Sequence, residues 1–233
     1  MNNILDKITL LTCTFNNNLL TTMMIKSLFK QIKRTIPVVI IDNGTKEACT
    51  DDMKDIFTVI DNTNFKILKN QNQVSRNHCY SIDYALKNCI KTKYVLLCDN
   101  DILFKSNLLD FFNKLTTFDA VGEISNDIKQ RFLPYFCIID IEKFKNDNLN
   151  YYDPNRCMNH VITIYNKNFE YVTRRVLNNK PVYDTGASFY YDIKSKNWNI
   201  TKIKLDKYIV HLGSTTWCKK DYVKWLSIHK DLI

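Results

Sequence analysis

Glycine is scarce in this chain: four occur in 233 residues, at positions 44, 122, 186 and 213. Neither G-x-G-x-x-G nor G-x-x-x-x-G-K-[ST] occurs, so no glycine-rich loop is present to cradle the phosphates of a nucleotide. No stretch approaches ~18 consecutive apolar residues, which excludes a membrane-spanning helix. The opening "MNNILDKITLLTCTF" lacks the basic, apolar and small-residue succession of a secretory signal. The eight cysteines (13, 49, 79, 89, 98, 137, 157 and 218) form no C-x-x-C, and several sit inside apolar runs. They read as reduced, mostly buried thiols in a cytoplasmic protein, not as a disulfide framework or zinc site.

The formal charge is +9, and 45% of residues are hydrophobic. That composition suits one domain. A basic balance suits polyanions: nucleic acid, phosphorylated small molecules or an anionic lipid surface. The densest basic region is the tail, with Lys202, Lys204, Lys207, Lys219, Lys220 and Lys224. No helix-turn-helix, RNP or zinc-finger pattern accompanies it, so a solvated surface is the first reading of these lysines and peripheral membrane contact the second.

The first two-thirds alternate between two patterns. "KITLLTCTF" (7–15) is an apolar run too short for a typical helix and reads as a buried strand. Residues 19–34 put Leu20, Met23, Met24, Ser27, Leu28 and Gln31 near one helical face. "IPVVIID" (36–42) is a second strand, bounded by Pro37 and the turn "DNGT". "KEACTDDMKDIF" predicts a short helix and "FKILK" (65–69) a short strand. "SRNHCYSIDYALKNCI" (75–90) predicts a helix with Ser75 as N-cap and Cys79, Ile82, Ala85, Leu86 and Cys89 inward. His78 falls on this helix and reads as a packing residue. "KYVLLCD" is the next strand.

This order predicts an α/β fold with a mostly parallel sheet and helices on both faces. In such sheets ligands bind beyond the carboxyl ends of the strands. Thr14–Asn18, Asp42–Thr45 and Asp99–Asp101 all arrive at that edge. At i and i+2 on an extended segment, Asp99 and Asp101 project to one side. Hard cations combine carboxylate oxygens with substrate phosphates, so this D-x-D suits Mg²⁺ or Mn²⁺ held against a diphosphate. The bland alternative for such a pair is turn chemistry.

Taken together, these segments resemble the family 2 glycosyltransferases of the GT-A fold, most clearly over the first half. "ITLLTCTFNN" resembles that family's opening strand and nucleotide-contacting turn, which implies donor contacts from Thr14, Phe15 and Asn16. "PVVIIDNGT" resembles its second strand and implies that Asp42 contacts the base. "NQNQVSRNHCYSIDYAL" resembles its asparagine-rich turn and helix, pointing to Arg76 and Asn77. "YVLLCDNDILF" resembles its D-x-D strand: Asp99 and Asn100 would lie near the ribose and diphosphate, and Asp101, with Asp99, would bind the metal. The resemblance implies one domain over 1–233, with a nucleotide-sugar half (about 1–125) and an acceptor half (about 126–233).

The second half is less regular. "AVGEI" (120–124) reads as a strand, and "YFCIIDIEKF" (135–144) as a strand entering a helix. Residues 145–183 show poor periodicity, and loops of that length are commonly functional. Tyr151, Tyr152 and Tyr171 there suit either stacking on sugar rings or core packing. Asp184 in "VYDTGASFYYDI" stands ahead of a predicted helix, where it could act as an N-cap. By resemblance it is the catalytic base, with Asp192 as the alternative. "DTGASFYYD" is similar to a variant in some family members, including glycosyltransferases of large DNA viruses, which would imply a host-cytoplasm location. "YIVHLGSTTW" (208–217) ends a strand at His211. It resembles a late histidine element that completes the metal site or contacts the diphosphate, and imidazole ligates Mn²⁺.

The expected activity is therefore metal-dependent, inverting transfer of a sugar from a nucleoside-diphosphate sugar to a glycan, lipid or protein hydroxyl. A UDP-sugar is the first expectation, GDP- or dTDP-sugars the next. Two rivals remain at this level. A nucleic-acid-binding protein would suit the net charge, but paired carboxylates repel a phosphate backbone, so no nucleic-acid partner is expected. A nucleotidyltransferase would share the sheet and metal, but commonly needs a glycine-rich turn that "TCTFNNN" lacks.

Overall fold

Successive residues of the central strands belong to opposite cores, and this shows how the chain is layered. In the computed structural model, which describes residues 4–44, 46–63, 74–113, 115, 117–124, 132–151, 176–177, 180–181, 186–213 and 221–233, β1 is Ile8–Thr14. Its Ile8 and Leu10 enter one core cluster, and Leu11 and Cys13 enter the other. Strand β4 (Tyr94–Asp99) divides in the same way, with Tyr94, Leu96 and Cys98 on one face and Val95 and Leu97 on the other. A strand apolar on both faces must be covered on both, which is why these strands read as continuous apolar runs.

One face is covered by α1 (Asn18–Ile32) and α4 (Leu109–Asn113), through Met24, Leu28, Phe111 and Phe112. The other is covered by α3 (Val74–Asn88), α5 (Ile141–Asn146) and α6 (Ala187–Ser195), through Ile82, Leu86, Phe144, Phe189 and Ile193. The inward residues of α3 match expectation: Cys79, Ile82, Ala85 and Leu86 are buried. Ser75 lies inside the helix as described, not before it as a cap. On α1 the buried stripe runs through Leu20, Thr21, Met24, Ile25, Leu28 and Ile32. Met23 and Gln31 of the expected face are half-buried, Met23 because it packs beside the cluster of Leu20, Leu103 and Leu226 and not against the sheet.

The remaining strands are β2 (Val38–Asp42), β3 (Thr58–Asp61), β5 (Ile102–Phe104), β6 (Ala120–Ile124), β7 (Phe132–Asp140), β8 (Val176–Leu177), β9 (Lys180–Pro181), β10 (Ile200–Lys202) and β11 (Ile209–His211). Seven of the described strands, β1 and β4 among them, form the main sheet, in the order β10-β6-β7-β4-β1-β2-β3. All its neighbours are parallel except at β7, which runs antiparallel to both β4 and β6. The expected mostly parallel α/β fold is thus observed. The expected short helix is α2 (Asp51–Ile56), and the third strand is Thr58–Asp61; the expected strand at 65–69 lies outside the described residues. Half-exposed and only four residues long, β3 leaves no apolar run to read in the sequence.

A separate two-stranded ribbon pairs β5 with β11, antiparallel, with Ile102 opposite His211. It packs on α1, and Leu103 joins Leu20 and Leu226 in a small cluster that seats the last helix, α7 (Tyr222–Ile228). No helix among the described residues is long and apolar enough to cross a membrane.

Candidate functional site

The register of the parallel strands sets the polar edge. Thr14 pairs with Asp42, Asp42 with Asp61, and Cys13 with Asp99. The three segments expected to converge do so at the carboxyl ends of adjacent strands.

Two of the segments are stitched together by their own side chains. Asp42 is buried; its Oδ1 accepts the Gly44 N–H at 2.8 Å and its Oδ2 the Cys49 N–H at 2.6 Å. Asn16, in the left-handed region at φ 56°, accepts the N–H groups of Lys46 and Glu47 through Oδ1. The Asn18 amide donates to the Ala48 carbonyl, and the Asn43 N–H to the Thr14 carbonyl. Asp42 and Asn16 therefore shape the loops at this edge. Thr14 is fully buried, and its hydroxyl has no hydrogen-bond partner among the described residues. Phe15 is half-buried.

Behind this edge lies a buried amide cluster absent from the sequence reading. Asn43 Oδ1 accepts from the Asn62 amide at 2.6 Å and from the Ser81 hydroxyl at 2.9 Å. It ties the ends of β2 and β3 to α3. Arg76 and Asn77 lie in the first turns of α3, but their side chains fall outside what the structure describes.

The D-x-D is bent. β4 ends at Asp99, Asn100 and Asp101 form a turn, and β5 starts at Ile102. The extended geometry assumed from the sequence does not hold, because the chain must leave the main sheet to enter the ribbon. Asn100 turns inward instead of toward the edge: it is buried, and its amide donates to the Thr21 hydroxyl at 3.1 Å. The Asp101 carbonyl accepts the Leu212 N–H, which hooks the "HLG" segment onto this turn.

Each carboxylate faces a histidine from a distant segment. His78 Nε2 lies 3.4 Å from Asp99 Oδ1, and His211 Nε2 lies 3.3 Å from Asp101 Oδ1. These are ion-pair distances without hydrogen-bond alignment. Both Oδ1 atoms are buried and have no hydrogen-bond partner among the described residues. Tyr135 completes the group. Its ring centroid is 4.1 Å from that of His211. Burial, then the charges of Glu123, Asp101 and Asp99, push its phenol up to about 12. Asp99 also adds to the burial that raises the thiols of Cys13 and Cys137.

Among the described residues no three His, Cys, Asp or Glu side chains converge into a ready-made cage. Mg²⁺-type sites seldom need one: one or two carboxylates suffice when substrate phosphates and water complete the shell. Two buried carboxylate oxygens without hydrogen bonds are costly unless a cation or donor meets them. The residues fit an ion of that kind.

The expected base is divided between two places. Asp184 lies outside the described residues. The N-cap of α6 is Gly186, in the left-handed region at φ 73°, where a β-carbon would stand 2.7 Å from the Tyr151 hydroxyl. Asp192 sits mid-way along α6 and is not among the groups gathered around Asp99 and Asp101. Tyr151 is 2% exposed and packs on Phe189, so it is a core residue. Tyr152 and Tyr171 lie outside the described residues.

From the sequence, His78 had a packing role and Tyr135 no role at the site; the structure sets both beside the Asp99–Asp101 pair. His78 directly follows the Arg76–Asn77 pair at the start of a helix entering from the carboxyl edge, a position that would have marked it.

No protein-family model matches the chain, and no curated protein matches it. Solved glycosyltransferase structures are similar in outline. The galactosyltransferase LgtC, in complex with donor and acceptor sugar analogs, is 12% identical, with 59% of each chain covered and a TM-score of 0.45. PcManGT, a mannosyltransferase from Pyrobaculum calidifontis in complex with GDP-Man and Mn²⁺, is 14% identical over 60% of this chain and 46% of that one, with a TM-score of 0.41. GlyE of Streptococcus pneumoniae TIGR4 is 11% identical over 96% of this chain, with a TM-score of 0.49, and this chain spans about half of its length (49%).

Proposed function

We propose that the protein is a glycosyltransferase that moves a sugar from a nucleoside-diphosphate sugar to an acceptor hydroxyl with the help of a divalent cation. One observation carries this reading: Asp99 and Asp101 present buried, unbonded oxygens at the carboxyl edge of a mostly parallel sheet. A nucleic-acid surface would not gather two buried carboxylates at its centre, where they repel a phosphate backbone.

Asp99 and Asp101 would hold Mn²⁺ or Mg²⁺, with His211 beside Asp101 as a further ligand. When bound, the ion stabilises negative charge on the departing diphosphate. The loops shaped by Asn16 and Asp42 form the nucleoside side, with Thr14, Phe15, Arg76 and Asn77 at the same edge. The acceptor oxygen attacks the anomeric carbon as the bond to the diphosphate breaks, inverting that centre. A carboxylate takes the hydroxyl proton; Asp184 is assigned to this step by resemblance, with Asp192 as the alternative. The donor is expected to be a UDP-sugar before a GDP- or dTDP-sugar, and the acceptor a glycan, lipid or protein.

The test is hydrolysis of UDP-, GDP- and dTDP-sugars by the wild-type protein with Mn²⁺ and no acceptor. Slow release of one nucleoside diphosphate is expected, abolished by chelation and by Asp101→Ala with the melting temperature retained. No release from any donor, together with salt-dependent DNA or RNA binding, would overturn the reading.

A further inference from the structure

We propose that Tyr135 is a positioning residue for His211: its ring fixes the plane of the imidazole that faces Asp101, and so sets the strength of metal-dependent nucleotide binding. The inference rests on the donor-site reading above.

Two separately built pieces of the fold meet at this contact. Tyr135 belongs to β7 of the main sheet. The register Cys98↔Phe136 places it beside the end of β4, where Asp99 stands. His211 belongs to the β5–β11 ribbon, opposite Ile102 and one residue from the turn that carries Asp101. The ribbon and the main sheet share no strand, so strand pairing alone does not fix the His211 ring against the main sheet. The Tyr135–His211 stack bridges them, with ring centroids 4.1 Å apart and an interplanar angle of 33°.

The imidazole needs such a wall. His211 is the last residue of a three-residue strand, and 30% of its side chain is exposed. Left unpacked, it would sample several rotamers, and ordering it on binding would cost entropy. A tilted ring contact this close restrains the ring plane in advance. The Gly213 backbone approaches as well: a β-carbon there would stand 3.7 Å from His211 Cε1. So held, the ring keeps Nε2 3.3 Å from Asp101 Oδ1. Groups that orient a metal-binding histidine tune the affinity of the site.

The experiment is calorimetric binding of UDP, GDP and dTDP with and without Mn²⁺, on wild type, Asp101→Ala, Tyr135→Leu, Tyr135→Phe, His211→Ala and the Tyr135→Leu/His211→Ala double variant. Leucine keeps apolar bulk and removes the ring; phenylalanine keeps the ring. For the nucleotide bound best, Tyr135→Leu is expected to weaken Mn²⁺-dependent binding by about tenfold, the order expected for one aromatic contact. Tyr135→Phe should restore most of the affinity, and Tyr135→Leu should add nothing in the His211→Ala background. Such non-additivity marks residues that act as one unit, and a general packing defect would not produce it. Equal losses from Tyr135→Leu in both backgrounds, or an equal loss from Tyr135→Phe, would overturn the proposal. If Asp101→Ala abolishes binding and Tyr135→Leu leaves it intact, the donor-site reading stands and this inference alone fails. If Asp101→Ala binds as wild type does, both fail.

Discussion

His78 Nε2 stands 3.4 Å from Asp99 Oδ1, although the two residues come from a helix and a strand on separate parts of the chain. The contact makes α3 more than a cover for the sheet. Its first turns reach the polar edge, and the carboxylate they meet is one of the pair that would hold a cation. The side chain is only a quarter exposed, so the histidine is held in place and does not sweep through solvent.

His78→Ala is therefore expected to weaken Mn²⁺-dependent nucleotide binding by about tenfold, in line with the effect of partners that orient metal ligands. The fold should survive, because Cys79, Ile82 and Leu86 carry the helix packing. Calorimetry of the variant against wild type checks this. Unchanged affinity would return His78 to a packing role.

Asp42→Ala should act first on stability. The carboxylate accepts two N–H groups, from Gly44 and Cys49, in a buried loop. Leaving each buried donor unsatisfied costs roughly 1–3 kcal/mol, so a loss on the order of 2–6 kcal/mol is expected for the two. Urea unfolding measures it. If the base also contacts this residue, competition among UDP, GDP and dTDP should show weaker discrimination at temperatures where the variant stays folded.

The thiols of Cys13, Cys98 and Cys137 should be inert in the native protein. Burial raises each pKa above the ordinary thiol value, so the reactive thiolate is scarcely populated at pH 8. Cys49 behaves similarly, pushed up to about 12 by burial and by Asp42. Alkylation followed by mass spectrometry should find these four unmodified at pH 8 and fully modified in denaturant. Rapid native labelling of Cys98 would contradict the burial of β4.

Asp184→Asn and Asp192→Asn separate base from structural roles. A general base is worth about 10²–10⁴-fold in rate, so removing it should slow transfer by at least ~10²-fold while donor affinity holds. Asparagine caps a helix nearly as well as aspartate, so a capping role predicts almost no loss of rate. Transfer kinetics with the preferred donor decide which carboxylate, if either, takes the proton.

Short-range patterns accounted for most of the sheet. "KITLLTCTF", "IPVVIID" and "KYVLLCD" became β1, β2 and β4, because strands buried on both faces must be apolar throughout. The inward residues of α3 were equally legible, since helical periodicity is a local property. These strands also carried Asp42, Asp99 and Asp101 to one edge, and the parallel topology does that for any sequence of this order. Residues with two local readings were settled differently. Asn100, a donor contact by resemblance, anchors α1 through its amide to Thr21; of the two readings open for Tyr151, sugar platform or core, it is core.

The resemblance had implied His211 beside the carboxylates; that His78 and Tyr135 join it there was decided by tertiary structure. The group around them draws on residues 78, 99, 101, 135 and 211, from α3, the end of β4, the turn after it, β7 and β11. No periodicity links these positions. Their meeting depends on β7 inserting antiparallel beside β4 and on β11 pairing with β5, pairings between strands far apart in sequence. A strand's amino acids report how deeply it is buried, but backbone hydrogen bonds are the same for every residue type. The sequence could therefore show that strands exist and leave open which strand lies beside which, and that adjacency is what sets His211 against Asp101 and Tyr135 against His211.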